Sequence, residues 1–273
     1  MDDLQGKVAV VTGGGSGIGR GIALAAAREG MHVVLADIEL DAAEGVAREV
    51  ATEEVDVLAV QADVSAVGSV EALADRTFDR FGAVHLLCNN AGVFTLGTLT
   101  DATAADWDWL LRVNVLGVVH GLHAFLPRMR AQDGEAHVVN TASMAGLIAP
   151  RGLPIGVYTA TKYAVVGLSE TLRMELEPDG IGVSVLCPSG VETRIWEAER
   201  NRPTELGGPQ EMDSRGDFSA QGPAGEQLDP EAVGRMVIAG VQANELYVLT
   251  HPETQGLVRR RFDAIMAAFD GME

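Results

Sequence analysis

Short aliphatic runs recur along the chain, separated by stretches with helical spacing. Val8–Val11, Val33–Ala36, Val57–Val60, Val84–Cys88, His137–Thr141, Val183–Cys187 and Tyr247–Leu249 each read as a strand. These runs are mostly apolar and do not alternate, which marks strands covered on both faces, as in a parallel sheet. Between them, apolar residues at three- and four-residue spacing predict helices beginning near Gly17, Asp41, Ser69, Thr103, Val157 and Pro230. The alternation predicts an α/β fold: one doubly wound (Rossmann) seven-stranded parallel sheet, forming a single domain over residues 1–273.

The rhythm breaks once. Residues 194–229 contain Pro203, Pro209 and Pro223 and no convincing strand. A connection that long inside a compact domain is a lid or a disordered insertion. Because it leaves the C-terminal end of a sheet strand, where ligands bind in this architecture, it is read as a substrate lid. Beyond the last strand, residues 251–273 form a C-terminal extension. Its apolar positions Leu257, Val258, Phe262, Ile265, Met266 and Phe269 predict an amphipathic helix that packs or dimerises.

Charge narrows the choice of partners. The chain has 39 Asp and Glu against 20 Lys and Arg, a net charge of −19, which argues against nucleic acid and anionic membranes as partners. No apolar run approaches the roughly 20 residues that span a bilayer, and the acidic start at Met1-Asp2-Asp3-Leu4 does not resemble a signal peptide, so a cytoplasmic protein is expected. Cys88 and Cys187 each end an aliphatic run and read as buried thiols in preference to a disulfide or metal pair. His120 and His123 lack an evident third ligand, so no metal site is expected. Trp107 and Trp109 read as packing anchors.

Chemistry enters with the first strand, which runs into Thr12-Gly13-Gly14-Gly15-Ser16-Gly17-Ile18-Gly19 and then a helix. Glycines in a strand-turn-helix setting let backbone approach a pyrophosphate at a helix N-terminus. Asp37 ends the second strand. It can accept hydrogen bonds from both adenosine ribose hydroxyls and repel a 2′-phosphate, which favours NAD over NADP; Ser16 and Ile38 offer no cation in compensation. The same carboxylate could also cap the next helix. Asn89-Asn90-Ala91-Gly92 ends the fourth strand and suits contact with a flat ring or an ordinary turn. Ser143 follows the fifth strand, and Tyr158 and Lys162 stand four apart on one helix face. Only Lys7 and Lys162 are lysines, so the pair is not easily accidental. A fixed ammonium beside the phenol is expected to lower its pKa and make proton transfer feasible.

In this order the motifs resemble the short-chain dehydrogenase/reductase family, from about residue 6 to residue 249. The resemblance implies an oxidoreductase in which Asn114, Ser143, Tyr158 and Lys162 act together. Tyr158 would be the acid/base, and Ser143 would orient the carbonyl. Lys162 would hold the nicotinamide ribose and depress the Tyr158 pKa, and Asn114 would hold a water in a proton relay. It also implies that Gly13, Ser16, Gly17, Ile18, Gly19, Asp37, Asp63, Val64, Asn90, Ala91, Gly92, Pro188, Val191 and Thr193 border the cofactor together with Tyr158 and Lys162. Asp63 would lie against the adenine. The family suggests a small-molecule alcohol or ketone substrate and a homo-oligomer, dimer or tetramer, formed through helices around Asn114 and Tyr158. Two features depart from its pattern: Ser189 replaces the usual Gly after Pro188, and the Ser143–Tyr158 interval is about two residues long, with Pro150, Arg151 and Pro154 inside it. The stretches 106–129 and 247–269 are similar to Cα-dehydrogenases acting on bulky aryl alcohols. Met144, Leu147, Leu153 and Trp196 are the substrate-pocket candidates. An NADP-dependent ketoreductase and a non-catalytic dinucleotide sensor remain as alternatives; a sensor would be expected to lack Tyr158 or Lys162.

Overall fold

The computed structural model describes residues 1, 3–210 and 227–270, so the middle of the expected lid, 211–226, lies outside the described residues. Seven parallel strands form one sheet in the order β3-β2-β1-β4-β5-β6-β7. They are β1 (Val8–Thr12), β2 (His32–Asp37), β3 (Val57–Gln61), β4 (Leu86–Asn89), β5 (Ala136–Thr141), β6 (Ile181–Cys187) and β7 (Tyr247–Leu249). The helices are α1 (Gly17–Arg28), α2 (Leu40–Val50), α3 (Val67–Phe81), α4 (Ala104–Leu110), α5 (Gly117–Ala131), α6 (Gly156–Leu176), α7 (Pro230–Gln242) and α8 (Gln255–Asp270). The fourth strand begins two residues later than its apolar run, because Val84 and His85 lead into it from the end of α3.

Alternation along each strand splits the apolar runs between two cores. Val8, Val10, Val34, Val138 and Val183 face the α3, α5 and α6 side. Ala9, Val11, Val33, Val139 and Leu186 face α1 and α7. The edge strands depart from the expected two-sided burial: β3 is only partly covered, and Tyr247 and Leu249 of β7 are exposed. On the second face α1 and α7 meet backbone to backbone. A Cβ on Gly21 would stand 2.0 Å from the Pro230 carbonyl oxygen, and one on Gly234 would stand 2.1 Å from that of Gly21. No larger residue permits that approach.

α4 and α5 join through a π-helical turn, Leu111–Leu116, into one helix of 28 residues, Ala104–Ala131. By length and composition alone this helix could reach across a bilayer, although Asn114, His120 and His123 interrupt its apolar residues. Half of its most apolar window is buried inside the fold, where Val118, Leu122, Phe125 and Met129 enter the core.

The order β3-β2-β1-β4-β5 places a switch point between β1 and β4, where the connections diverge to opposite faces. A crevice opens there at the carboxyl ends of the strands. A third apolar cluster lies above it, joining Val93, Phe94, Trp109, Ile155 and Val157 to Ala198 of the segment after β6.

Candidate active site

The crevice is a cavity of about 1080 Å³, large enough for a dinucleotide and a second small molecule together. It runs from the glycine turn to α8. At the first end, a Cβ on Gly13 would lie 2.9 Å from the Ala91 Cα, and one on Gly19 would lie 2.0 Å from the Gly13 carbonyl oxygen. Gly13, Ser16, Gly17 and Ile18 line the cavity, whereas Gly19 packs behind them to close the turn. Asp37 joins the turn to β2: Gly15 N donates to its Oδ2 at 2.9 Å and Glu39 N donates to its Oδ1 at 3.0 Å. It does not cap α2, whose N-cap position is Glu39. Asp63 accepts from the Ser65 amide and hydroxyl and borders the cavity beside Val64.

Three strand ends are tied together beneath the site. Asn90 N and Ala91 N donate to Thr12 Oγ1, Asn90 Nδ2 donates to the Thr12 carbonyl, and Thr141 Oγ1 donates to Asn90 Oδ1. Asn90, Ala91 and Gly92 therefore form part of the cavity floor. Across from them stand Pro188, Val191 and Thr193, the last pressed against the glycine turn: a Cβ on Gly17 would stand 2.9 Å from Thr193 Cγ2. Ser189 N donates to His251 Nδ1 at 3.4 Å, which holds the segment after β7 to the site.

Tyr158 and Lys162 occupy the first two turns of α6 on its cavity face, and the Lys162 Nζ lies 5.6 Å from the phenol ring centroid. Lys162 is buried and donates to the Thr141 carbonyl at 2.8 Å. Burial pulls its pKa down to about 8. Desolvation pushes the Tyr158 phenol up to about 12, against a hydrogen bond with Ser143 that works the other way. Loss of water around the hydroxyl is the largest influence on this phenol. Ser143 Oγ accepts from Ala145 N at 3.1 Å at the head of a short 3-10 turn, which fixes its side chain next to Tyr158.

Asn114 lies behind the wall, on the π-helical turn. Its Oδ1 accepts from Val93 N at 2.8 Å, and its Nδ2 donates to the Val93 carbonyl and to Thr161 Oγ1. The side chain is thus fully engaged in holding the loop after β4 against α6. Among the substrate candidates, Met144, Leu153 and Trp196 line the cavity, but Leu147 turns into the core, and its neighbour Ile148 lines the wall in its place. Sequence reasoning missed Phe94. Its ring meets Tyr158 edge-on at 5.1 Å and Trp196 at 4.8 Å, so three aromatics from distant segments form one wall.

The described part of the segment read as a lid is not structureless. Arg194–Asn201 and Thr204–Leu206 form 3-10 helices, and Val191 bridges to Leu228. Arg200 and Asn201 both donate to Glu39 Oε1, at 2.7 and 2.8 Å. Arg202 is buried between Asp106 and Glu199, with its guanidinium 5.3 Å from the Trp109 ring centroid. Both cysteines are free and buried, with thiol pKa values pushed up by burial. His120 Nδ1 is occupied by the Val64 carbonyl at 2.8 Å.

The family model described as short chain dehydrogenase matches residues 7–204. The chain belongs to the short-chain dehydrogenase family. It is 33% identical to the C alpha-dehydrogenase of a Sphingobium species, over 100% of this chain and 90% of that protein. It is 30% identical to a CLA biosynthesis dehydrogenase/reductase of Lactiplantibacillus plantarum, over 97% and 95%. A Burkholderia phymatum short chain dehydrogenase/reductase solved in complex with NAD superimposes with a TM-score of 0.92 at 40% identity, covering 98% of this chain and 97% of that one. This short-chain dehydrogenase is accordingly an oxidoreductase that uses a nicotinamide dinucleotide. The glycine turn, where a Cβ would fill the cradle, and the carboxylate at the end of β2 fit that group.

Proposed function

We propose that this enzyme interconverts a secondary alcohol and its ketone with NAD, acting on substrates with a bulky apolar or aryl substituent. The observation that carries the reading is the meeting of Tyr158, Ser143 and Lys162 in a cavity continuous with the glycine turn. A nicotinamide bound there supplies the hydride acceptor or donor. Tyr158 gives or takes the proton at the substrate oxygen, and Ser143 Oγ orients that oxygen. With its pKa up at about 12 the phenol is protonated at neutral pH, as ketone reduction requires, and oxidation gains from alkali. The Lys162 ammonium, carried by α6, places positive charge 5.6 Å from the ring, where it favours the phenolate as the proton leaves. Asn114 positions this group of residues through Thr161 and Val93.

The preference for NAD rests on Asp37, whose charge opposes a 2′-phosphate at that end of the cavity. Arg194 and Arg200 also border this end, but both are turned onto Glu39. The test is NADH formation from aryl and aliphatic secondary alcohols, offered with NAD and NADP separately. Turnover of aryl alcohols with NAD is expected. Equal rates with NADP would overturn the Asp37 argument, and binding of NAD with no turnover of any alcohol would favour the sensor reading.

A further inference from the structure

The helix α8 presents two unlike faces. Phe262, Ile265, Met266 and Phe269 point outward and are exposed. Thr254, just before the helix, and Leu257, Arg260, Arg261 and Ala264 within it line the cavity at the spacing of one helical face. Of the apolar stripe read from the sequence, Leu257 and Val258 turn inward while Phe262, Ile265, Met266 and Phe269 form the outer face, and the cationic face looks onto the site.

This placement is anchored. Thr254 Oγ1 contacts the Met144 sulfur at 3.6 Å, so α8 begins beside the turn that carries Ser143. The Arg261 guanidinium lies over the ring of Tyr163, the residue after Lys162, at 5.1 Å. Arg151, in the lengthened loop between Ser143 and Tyr158, lines the same cavity. Among the described residues none of the three arginines forms an ion pair, although the chain has almost twice as many acidic as basic residues. Arg112, Arg194, Arg200 and Arg202, by contrast, do pair with carboxylates. The acidic side chains of this helical segment, Glu253, Asp263 and Asp270, do not line the cavity. Leu153, Ile148 and Leu257 add apolar side chains to the same cavity wall.

We infer that the rim formed by Arg260, Arg261 and Arg151 is a subsite for a carboxylate on the substrate, which is therefore a hydroxy or oxo acid. Its oxygen-bearing carbon sits at Tyr158, and its acid group lies beyond an apolar spacer. The inference deepens the alcohol–ketone reading and rests on it. A guanidinium fork matches a carboxylate with two parallel hydrogen bonds, and a cation held on an aromatic ring keeps its edge donors available. In so acidic a chain, a local patch of positive charge also draws an anionic substrate to this one opening.

The test is a binding measurement on the full chain, independent of turnover. 4-Phenylbutyrate and its neutral counterpart 4-phenylbutanamide are titrated calorimetrically at low salt. The acid is expected to bind about tenfold more tightly than the amide, and the preference to shrink as salt rises. R260Q/R261Q should abolish the preference while leaving amide binding unchanged. R259Q, which removes a charge from the same helix but not from the cavity wall, should preserve it. Equal binding of acid and amide, binding of neither, a preference that survives R260Q/R261Q, or an equal loss in R259Q would each overturn the subsite. Failure of both neutral and carboxylate-bearing secondary alcohols to turn over with NAD overturns the alcohol–ketone reading instead, so the two failures are distinguishable.

Discussion

At the dinucleotide end of the cavity main chain meets main chain. Gly13 sits against Ala91, Gly19 against Gly13, and a single carboxylate, Asp37, ties the turn to β2. At the substrate end side chains meet instead. Phe94, Leu153, Tyr158, Trp196, Leu257 and the α8 arginines arrive from separate segments, and several are half-exposed. A backbone cradle leaves no room for variation, because adding one carbon collides with a neighbour's peptide. A wall of side chains can be rebuilt one residue at a time on the same sheet. The contrast explains how one architecture keeps its cofactor while changing its substrate.

Four experiments would break or sharpen this contrast. The largest effect is expected from Tyr158→Phe, which removes the proton-transferring group. The rate constant kcat/KM should fall about a thousandfold with dinucleotide binding retained, as followed by NADH fluorescence. Unchanged turnover would remove Tyr158 from the mechanism. Next, Gly19→Ala places a carbon 2.0 Å from the Gly13 carbonyl oxygen and should weaken dinucleotide binding about a hundredfold. Near-normal binding would show that the cradle yields as easily as a side-chain wall.

The third concerns the sheet that both ends share. His137 of β5 is buried, bonds Ser184 at 2.8 Å, and is pulled down to about 3 by desolvation. The unfolded chain regains a proton near pH 6.5 that the folded chain refuses until about pH 3. Stability therefore falls as pH drops through that window, by up to about 1.4 kcal/mol per pH unit. His137→Asn should flatten the slope. All three tryptophans lie toward the substrate end, so coincident fluorescence and far-UV circular dichroism transitions would show the two ends melting together. Separate transitions would show that the substrate end unfolds on its own. The smallest effect is expected from Trp196→Ala. Loss of the outer aromatic should raise KM for an aryl alcohol about tenfold with little change in kcat, and leave a small aliphatic alcohol unaffected. Equal losses on both substrates would assign Trp196 a structural role.

Some of this was written locally in the chain. The strand at Val183–Cys187 shows as four apolar residues interrupted only by Ser184, and the spacing of Tyr158 and Lys162 is one turn of any helix. The edge strands were misjudged as buried on both faces because a run of residues does not say which strands end a sheet. Leu147 and Ile148 are both apolar and adjacent, and only the 3-10 turn after Ser143 decides which one faces the cavity. The π-helical turn that brings Asn114 inward left no pattern that a 3.6-residue period could detect.

Periodicity and glycine chemistry act over a few residues, so the chain's own pattern settled the parallel sheet, the nucleotide turn and the face shared by Tyr158 and Lys162. The pairing of Glu39 with Arg200, the aromatic wall of Phe94, Tyr158 and Trp196, and the cationic face of α8 over the cavity are contacts between residues tens to more than 150 positions apart. Only the packed fold decided them, because a residue's distant neighbours are set by how the sheet and helices close upon one another.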